Sequence, residues 1–358
     1  MKHSMRTVAL ALCVGVYATS AFSGEVDGVT LKSGRSAVVF DRARHGAVVS
    51  LRDNATGAEF VNGSVAEELF AIAWSHPGDE TGKLERLSGR DAAQVEWDVS
   101  DGRVTAVFRG LGGRDMTVTC TAALSADGDD VRWQLRVTGA APVVLEEVSF
   151  PVFDLRAPLL RDGRSDAVVA GLTKGGVFHD PAQWSIGRGL SATQPGQLAA
   201  QFGCYYSPES GLLSHTRDAR GFPKQLECLR TKEGLRWTWK RRCYHPLGEP
   251  FGLGYEISTT TFTAQTPGEP TDWRDGADLY KQWALEQPWC AVPYAGRTDV
   301  PDWMKSGPSM IRFHRDWLGK PERIEGWLDA YWKKHFPDVP LIVALWGWEQ
   351  VGSWVSPK

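Results

Sequence analysis

The sequence predicts a mainly β fold, in which a large antiparallel β-sandwich is followed by an incomplete α/β segment of the TIM-barrel type. Apolar and polar residues alternate in strand-length runs from Gly28 to about Thr266, with turn dipeptides such as Asp101-Gly102 between them. After the Pro- and Gly-rich stretch 266–270 the spacing becomes helical, and two short apolar runs then flank one amphipathic helix. Two stacked sheets are the best way for so long a series of half-buried strands to cover one another.

The first element along the chain is a predicted signal peptide at residues 1–23. Two basic residues precede an apolar core from Val8 to Tyr17, and Ala21 and Ser23 then supply the small side chains of a cleavage site. The apolar core is shorter than the roughly 20 residues of a membrane span. We therefore expect an exported mature chain, secreted or periplasmic, with no membrane span.

The sandwich is predicted to occupy residues 24–268. The runs with the plainest alternation are Arg103–Phe108, Met116–Cys120 and Val131–Val137. A hairpin is predicted between residues 198–206 and 212–216, because a Pro-Glu-Ser-Gly turn separates the two apolar runs. The stretch 162–196 is rich in Gly and irregular, and we expect it to form loops across one end of the sandwich.

Residues 269–300 are predicted to form a helical linker. Asp272 can cap a helix that places Ala277, Tyr280 and Trp283 on one face, and Pro288 then stops it.

Residues 301–358 are predicted to be the first β-α-β unit of a (β/α)8 barrel. Residues 309–314 form a short apolar strand, and a helix then begins at Pro321. Its apolar stripe consists of Ile324, Trp327, Leu328, Tyr331 and Trp332. The continuously apolar run 339–346 suits a buried parallel strand. Since a complete barrel takes about 250 residues, we expect this segment to be truncated.

Barrel enzymes carry their functional side chains at the carboxyl ends of the strands. The residues at those positions are Arg312, His314, Asp316, Trp317, Trp346, Trp348 and Glu349, and we predict a substrate-binding role for them. Trp rings suit the C–H face of a sugar, and Asp316 and Glu349 can accept hydrogen bonds from sugar hydroxyls. The alternatives are core packing for the Trp residues and a rim salt bridge for the carboxylates. The catalytic residues themselves are not identified.

The composition excludes several classes of partner. A formal net charge of −3 with no long basic run argues against nucleic acid. No metal-binding or nucleotide-binding motif occurs, so we predict no metal and no cofactor. Five cysteines would remain after removal of the signal peptide. Either one disulfide forms, between Cys243 and Cys204 or Cys228, or all remain buried thiols.

Five segments carry a resemblance to a known family. They are Gly46–Asp53, Glu146–Pro151, Asp278–Trp283, Arg312–Trp317 and Trp346–Glu349. They resemble secreted bacterial glycoside-hydrolase-like proteins that join a galactose-mutarotase-like supersandwich to a (β/α)8 barrel, and the nearest family is domain of unknown function 6259.

That resemblance implies a carbohydrate partner, an oligo- or polysaccharide, and hydrolysis by two carboxylates on later barrel strands that this chain does not contain. The chain alone would then be inactive. The alternative is a non-catalytic carbohydrate-binding or structural β-sandwich protein. Mutarotases use histidines for proton transfer, but His179, His215, His245 and His314 share no spacing that singles out a pair, so packing roles are favoured.

Overall fold

The computed structural model describes residues 27–79, 81–160, 166–314, 317 and 319–346, with only the backbone of residues 345 and 346. The predicted signal peptide lies outside these ranges. The chain divides into two compact units, Met1–Tyr280 and Lys281–Lys358.

The first unit is mainly β, as the sequence predicts. Its strands are, in chain order, β1 (Gly28–Lys32), β2 (Ser36–Asp41), β3 (Ala47–Asp53), β4 (Ala71–Ser75), β5 (Glu85–Ser88), β6 (Gln94–Ser100), β7 (Arg103–Arg109), β8 (Met116–Leu124), β9 (Val131–Gly139), β10 (Val144–Leu155), β11 (Ala167–Leu172), β12 (Val177–His179), β13 (Gly189–Gln194), β14 (Leu198–Tyr206), β15 (Gly211–Arg217), β16 (Lys224–Arg230), β17 (Leu235–Pro246), β18 (Phe251–Gly252) and β19 (Glu256–Phe262). Short 3₁₀ turns lie at Gly89–Asp91, Leu111–Gly113 and Pro181–Gln183.

The described strands of this unit form three antiparallel sheets. The six-stranded sheet has the order β13-β16-β17-β10-β4-β5. The ten-stranded sheet has the order β12-β11-β14-β15-β19-β9-β8-β7-β6, with β18 paired to β9. Strands β1, β2 and β3 form the third sheet. The long strands β10 and β17 pair with each other through two register shifts and form the centre of the six-stranded sheet.

The two large sheets pack face to face around an aromatic core. Trp133 of β9 has its ring 5.6 Å from that of Phe153 in β10. The indole N–H of Trp239 in β17 donates to the hydroxyl of Ser214 in β15 over 2.8 Å. Fully buried Trp, Phe and Leu side chains from both sheets fill the space between them, so the large antiparallel sandwich predicted from the sequence is confirmed.

The prediction of loops at 162–196 is wrong, because β11, β12 and β13 lie within this stretch. Residues Ala167 to Ala170 are all buried, so β11 has no alternation of apolar and polar residues to reveal it. In β13 the alternation is present, with Leu190 and Ala192 buried between exposed neighbours, but only small residues and one Leu carry it.

Helix α1 (Trp273–Leu285) begins where the sequence predicts. The Asp272 carboxylate accepts the backbone N–H of Arg274 over 2.7 Å and therefore caps the helix. Tyr280 and Trp283 are buried. The helix ends at Leu285, three residues before Pro288.

The second unit contains one parallel β-α-β arrangement. Its elements are 3₁₀ turns at Pro288–Cys290 and Tyr294–Gly296, helix α2 (Asp302–Lys305), β20 (Ser309–His314), α3 (Pro321–Trp327), a π-helical turn at Leu328–Trp332, α4 (Lys333–His335) and β21 (Leu341–Trp346). Strands β20 and β21 pair in parallel from Ser309 opposite Leu341 to His314 opposite Trp346. Both predicted strands and the helix between them are therefore confirmed, whereas their membership of a barrel stays a prediction.

No helix in the described ranges combines the length and the apolar character that crossing a membrane requires.

Candidate functional site

The sequence-predicted site lies at the carboxyl ends of β20 and β21. In β20 the side chains of Met310, Arg312 and His314 alternate with more buried neighbours, so they lie on one exposed face. His314 is the last paired residue of the strand, opposite Trp346. The strand thus brings Arg312 and His314 together at the predicted position.

Trp317 follows this strand and is half-buried. Its ring centroid lies 5.5 Å from that of Phe313, and the Arg323 guanidinium lies over the ring at 5.5 Å. The ring centroid of Phe313 in turn lies 5.9 Å from that of Trp327. Packing therefore holds Trp317 at the strand end.

Asp316, Trp348 and Glu349 lie outside the described residues, and Trp346 is described by its backbone alone. Their predicted roles stay predictions.

His179 and His215 do not belong to one site. His179 in β12 is exposed and lies in register with Ala167, which in turn faces Tyr206. His215 is buried in register with Phe202 of β14, four residues along that strand from Tyr206. Burial, with smaller contributions from Arg132 and Arg217, lowers the pKa of His215 to about 3. His215 is therefore neutral at ordinary pH, which suits a core residue.

A second candidate site, which sequence reasoning missed, lies on the outer face of the six-stranded sheet. The inner face of this sheet carries Trp237 and Trp239 of β17. Because side chains alternate along a strand, Thr238 and Lys240 point to the outer face. Strand register then places one residue from each of the six strands in a row, which we call the polar row although Ala71 interrupts it. The row consists of Thr193, Gln225, Lys240, Ser149, Ala71 and Ser88.

A recess of about 450 Å³ opens on this face. We call it the sheet recess; its lining consists of Glu68, Ala71, Arg86, Leu87, Ser88, Arg90, Asp91, Ser149, Glu227, Arg236, Thr238 and Lys240. Ala71, Ser88 and Ser149 are small and adjacent across three strands. The gap between the longer charged side chains therefore arises from these three short ones.

Lys240 holds two carboxylates beside the sheet recess. Its ammonium lies 2.9 Å from Glu227 Oε1 and 3.5 Å from Glu147 Oε1. The Arg86 guanidinium approaches the same Glu147 oxygen at 3.9 Å. The side chains of Lys240, Glu147 and Glu227 are all 13–16% exposed, so these charges interact in a partly desolvated environment.

A second cluster of charged side chains, centred on Arg236, borders the sheet recess. Its guanidinium pairs with Glu68 and lies 3.9 Å from Asp154, which faces it across the β10–β17 pair. Burial, followed by the nearby charge of Glu67, raises the pKa of Asp154 to about 6. Burial also lowers the pKa of the Arg236 guanidinium.

The floor of the sheet recess carries one unused hydroxyl. Ser149 is 5% exposed, and in the described part of the chain its hydroxyl has no hydrogen-bond partner. The recess thus combines ammonium, carboxylate and hydroxyl groups, and no aromatic ring belongs to its described lining. Such a set can donate and accept hydrogen bonds at neighbouring points.

The residues of the sheet recess come from distant strands and share no motif. The one signal in the sequence is Glu146-Glu147 beside the apolar residues of a strand, because a charge at such a position needs a partner. Among the described residues, no group of His, Cys, Asp and Glu side chains could hold a metal ion.

A wider recess of about 500 Å³ lies on the ten-stranded sheet and includes Thr119, Thr121, Gln134 and Glu256. The Gln134 amide donates to Glu256 over 2.8 Å. The polar groups of this wider recess are thus partly satisfied by one another.

No protein-family model matches the sequence, and no curated protein matches it. Solved structures do match. An α-N-acetylgalactosaminidase from Bifidobacterium bifidum in complex with GalNAc has a TM-score of 0.61 and 14% identity, over 90% of this chain and 52% of that chain. A quadruple mutant of that enzyme has a TM-score of 0.57.

A galactose mutarotase related enzyme from Lactobacillus acidophilus matches with a TM-score of 0.42 and 11% identity, over 68% of this chain and 100% of that chain. The match to the α-N-acetylgalactosaminidase shows a shared fold, and this chain spans about half of that enzyme's length.

Proposed function

We propose that the chain acts on carbohydrate, as the sandwich-bearing part of a glycoside-hydrolase-like protein. The observation that carries this proposal is the order of the two parts of the chain, in which a two-sheet sandwich is followed by a parallel β-α-β unit. The match to the α-N-acetylgalactosaminidase covers 90% of the chain, and the first unit has only 280 of the 358 residues. The match therefore extends into the second unit as well.

In this proposal the sugar is bound at the carboxyl end of β20. Arg312 and His314 are exposed there on one face, and both can donate hydrogen bonds to sugar hydroxyls. The neighbouring Trp317 is held in place by Phe313 and Arg323. Its half-buried ring offers an apolar surface to the C–H face of a sugar.

Hydrolysis of a glycosidic bond needs two carboxyl groups on either side of it, about 5 Å apart for retention and about 6.5–9.5 Å for inversion. We assign Asp316 and Glu349 to the binding of sugar hydroxyls and not to this pair. The proposal for these 358 residues is therefore binding of a glycan without turnover.

The test is a binding titration of the full chain with N-acetylgalactosamine, galactose, glucose and mannose, followed by intrinsic Trp fluorescence and calorimetry. We expect Arg312→Ala to weaken binding about tenfold, because an interaction with a charged donor is lost. Met310→Ala is the matched control, since Met310 is 66% exposed on the same face of the same strand. Equal affinity of the two variants, or no binding of any sugar by the wild type, would contradict the proposal.

Turnover is measured separately with a panel of aryl glycosides that includes the α-N-acetylgalactosaminide. Release of aryl alcohol at a rate abolished by Glu349→Gln would show that Glu349 belongs to a catalytic pair after all.

We also propose that the protein is exported after cleavage at Ser23, which rests on the layout of residues 1–23. Mass spectrometry of the exported protein should find Gly24 or a near neighbour as its first residue. An exported chain that still begins with Met1 would contradict this.

A further inference from the structure

We propose that the sheet recess is a second saccharide-binding site, which holds neighbouring hydroxyl groups of a sugar between Glu227, Lys240 and Ser149. The choice of a saccharide rests on the proposed function. The site itself rests on the geometry of the first unit.

Ser149 lies where it can contact a ligand in the sheet recess. It lies directly opposite Lys240 on one side and Ala71 on the other, and side chains opposite each other in antiparallel strands are about 4.5–5.5 Å apart. The serine is 5% exposed and its hydroxyl bonds to no residue within the described ranges. The Ser149 hydroxyl is not one of the fully buried, unpaired polar atoms of the described residues, so it faces the solvent of the recess, and a ligand hydroxyl at this point can bond to it in place of water.

Lys240 and Glu227 retain hydrogen-bonding capacity that their ion pair does not use. The Lys240 ammonium has three protons to donate, and its contacts among the described side chains are with Glu227 and Glu147. Glu227 Oε2 receives only a long contact of 3.5 Å from the Gln225 amide. A sugar hydroxyl both donates and accepts, so adjacent hydroxyls can bond to Glu227 and Lys240 at the same time.

The charges around the sheet recess are paired with one another, which favours a neutral ligand. Lys240 is paired with Glu227 and Arg236 with Glu68, whereas Arg86 and Arg90 contact Glu147 and Glu67 beside the recess. The recess also contains Asp91. An anion would meet these carboxylates and a cation would meet the arginines and the lysine. The volume of about 450 Å³ falls in the range of about 300–1,000 Å³ that small-molecule sites occupy.

The chemistry also predicts the strength of binding. Without an aromatic ring to stack on, the ligand gains mainly hydrogen bonds, each of which replaces one to water. We therefore expect a dissociation constant in the millimolar range.

The experiment uses the full chain with the Arg312→Ala substitution, so that binding at the strand-end site is weakened about tenfold and the recess substitutions are compared in that background. Galactose and N-acetylgalactosamine are titrated and followed by saturation-transfer NMR. We expect binding to remain in this background. Adding Ala71→Leu, which fills the floor of the recess, should weaken binding at least about tenfold, and Ser149→Ala should weaken it about fivefold.

Thr193→Val is the matched control. Thr193 belongs to the same polar row but lies on β13, two strands away from Lys240, about 10 Å at the usual strand spacing. It should leave the affinity unchanged. Circular dichroism and thermal unfolding check that each variant is folded. If Ala71→Leu does not fold, Ser149→Ala still tests the proposal.

Two results would overturn the inference. One is the absence of sugar binding in the Arg312→Ala background, and the other is binding there that neither recess substitution weakens. The proposed function fails in a different way, when Arg312→Ala and Met310→Ala bind sugar equally well.

Discussion

The ammonium of Lys224 and the carboxylate of Asp218 form an ion pair of 2.6 Å in which neither side chain has any exposed surface. Lys224 also donates to Gln194 over 3.0 Å and to Gln201 over 3.3 Å. Asp218 accepts the backbone N–H groups of residues 220, 221 and 222. Because both charges are satisfied, the pair fixes the turn after β15 to the start of β16.

We predict that Lys224→Met lowers the free energy of unfolding by about 3–5 kcal/mol, since it leaves the Asp218 carboxylate buried without its partner. Urea denaturation followed by Trp fluorescence measures the change. Lys232→Met is the control, because that side chain is 85% exposed and 3.9 Å from Glu233, and it should change stability by less than about 0.5 kcal/mol. Similar midpoints for the two variants would show that the buried pair contributes little.

A second prediction concerns pH. Burial raises the pKa of Asp154 from 3.8 to about 6, so the folded chain binds this proton more tightly than the unfolded chain. The resulting stabilisation is complete below about pH 4 and is lost as the pH rises through about 6. The wild type should therefore lose up to about 3 kcal/mol between these limits relative to Asp154→Asn.

Urea denaturation at several pH values between 4 and 8 tests this. Asp98→Asn controls for the loss of a carboxylate, because Asp98 is exposed on β6. A constant difference between wild type and Asp154→Asn over this range would mean that the protonation of Asp154 is not linked to folding.

The third prediction concerns the close approach of the two sheets at Gly203 in β14. A Cβ atom there would lie 2.5 Å from Leu226 and 2.8 Å from Trp237, which are buried side chains of the opposite sheet. Gly203→Ala should therefore destabilise the fold by about 1–3 kcal/mol through overpacking. Gly248→Ala is the control, since nothing lies within 4 Å of its Cβ position. Equal melting temperatures would indicate that the sheets can move apart at little cost.

The fourth prediction distinguishes the two interpretations of the cysteines. The five described cysteines are all free thiols, and Cys120, Cys204 and Cys228 are buried. Burial raises the pKa of each of these three thiols and raises that of Cys243 to about 12. Maleimide should thus label Cys290 first in the native protein, whereas the buried thiols should react only after denaturation.

Peptide mapping without reduction identifies the labelled positions. A disulfide-linked peptide that joins Cys243 to Cys204 or Cys228 would contradict the structure and favour the bridged alternative.

Local patterns in the sequence are sufficient to predict strands and helices where apolar side chains alternate or recur at helical spacing. The strands β8 and β9 and the hairpin of β14 and β15 follow their apolar periodicity. The strand β20 has the bounds that were predicted. The stretch containing β11 was missed because its buried residues are consecutive and small.

The sheet recess could not be predicted, because it depends on register between strands far apart in the sequence. Most of the second half of the sandwich sequence lies between Ser149 and Lys240, yet the two residues are paired directly opposite each other in the sheet. The register shift between Ser149 and Val152 in β10 sets which residues meet there. A bulge of this kind leaves no periodic signal that an isolated sequence reveals.

The floor of the sheet recess has a consequence for folding kinetics. The floor residues come from β4, β5 and β10, and Lys240 beside them comes from β17, so the chain between Ala71 and Lys240 must be assembled before Ser149 meets its neighbours. Contacts of such sequence separation form slowly and late. A ligand of the recess should therefore slow unfolding and leave the refolding rate almost unchanged, because it binds a structure that the transition state has not yet completed.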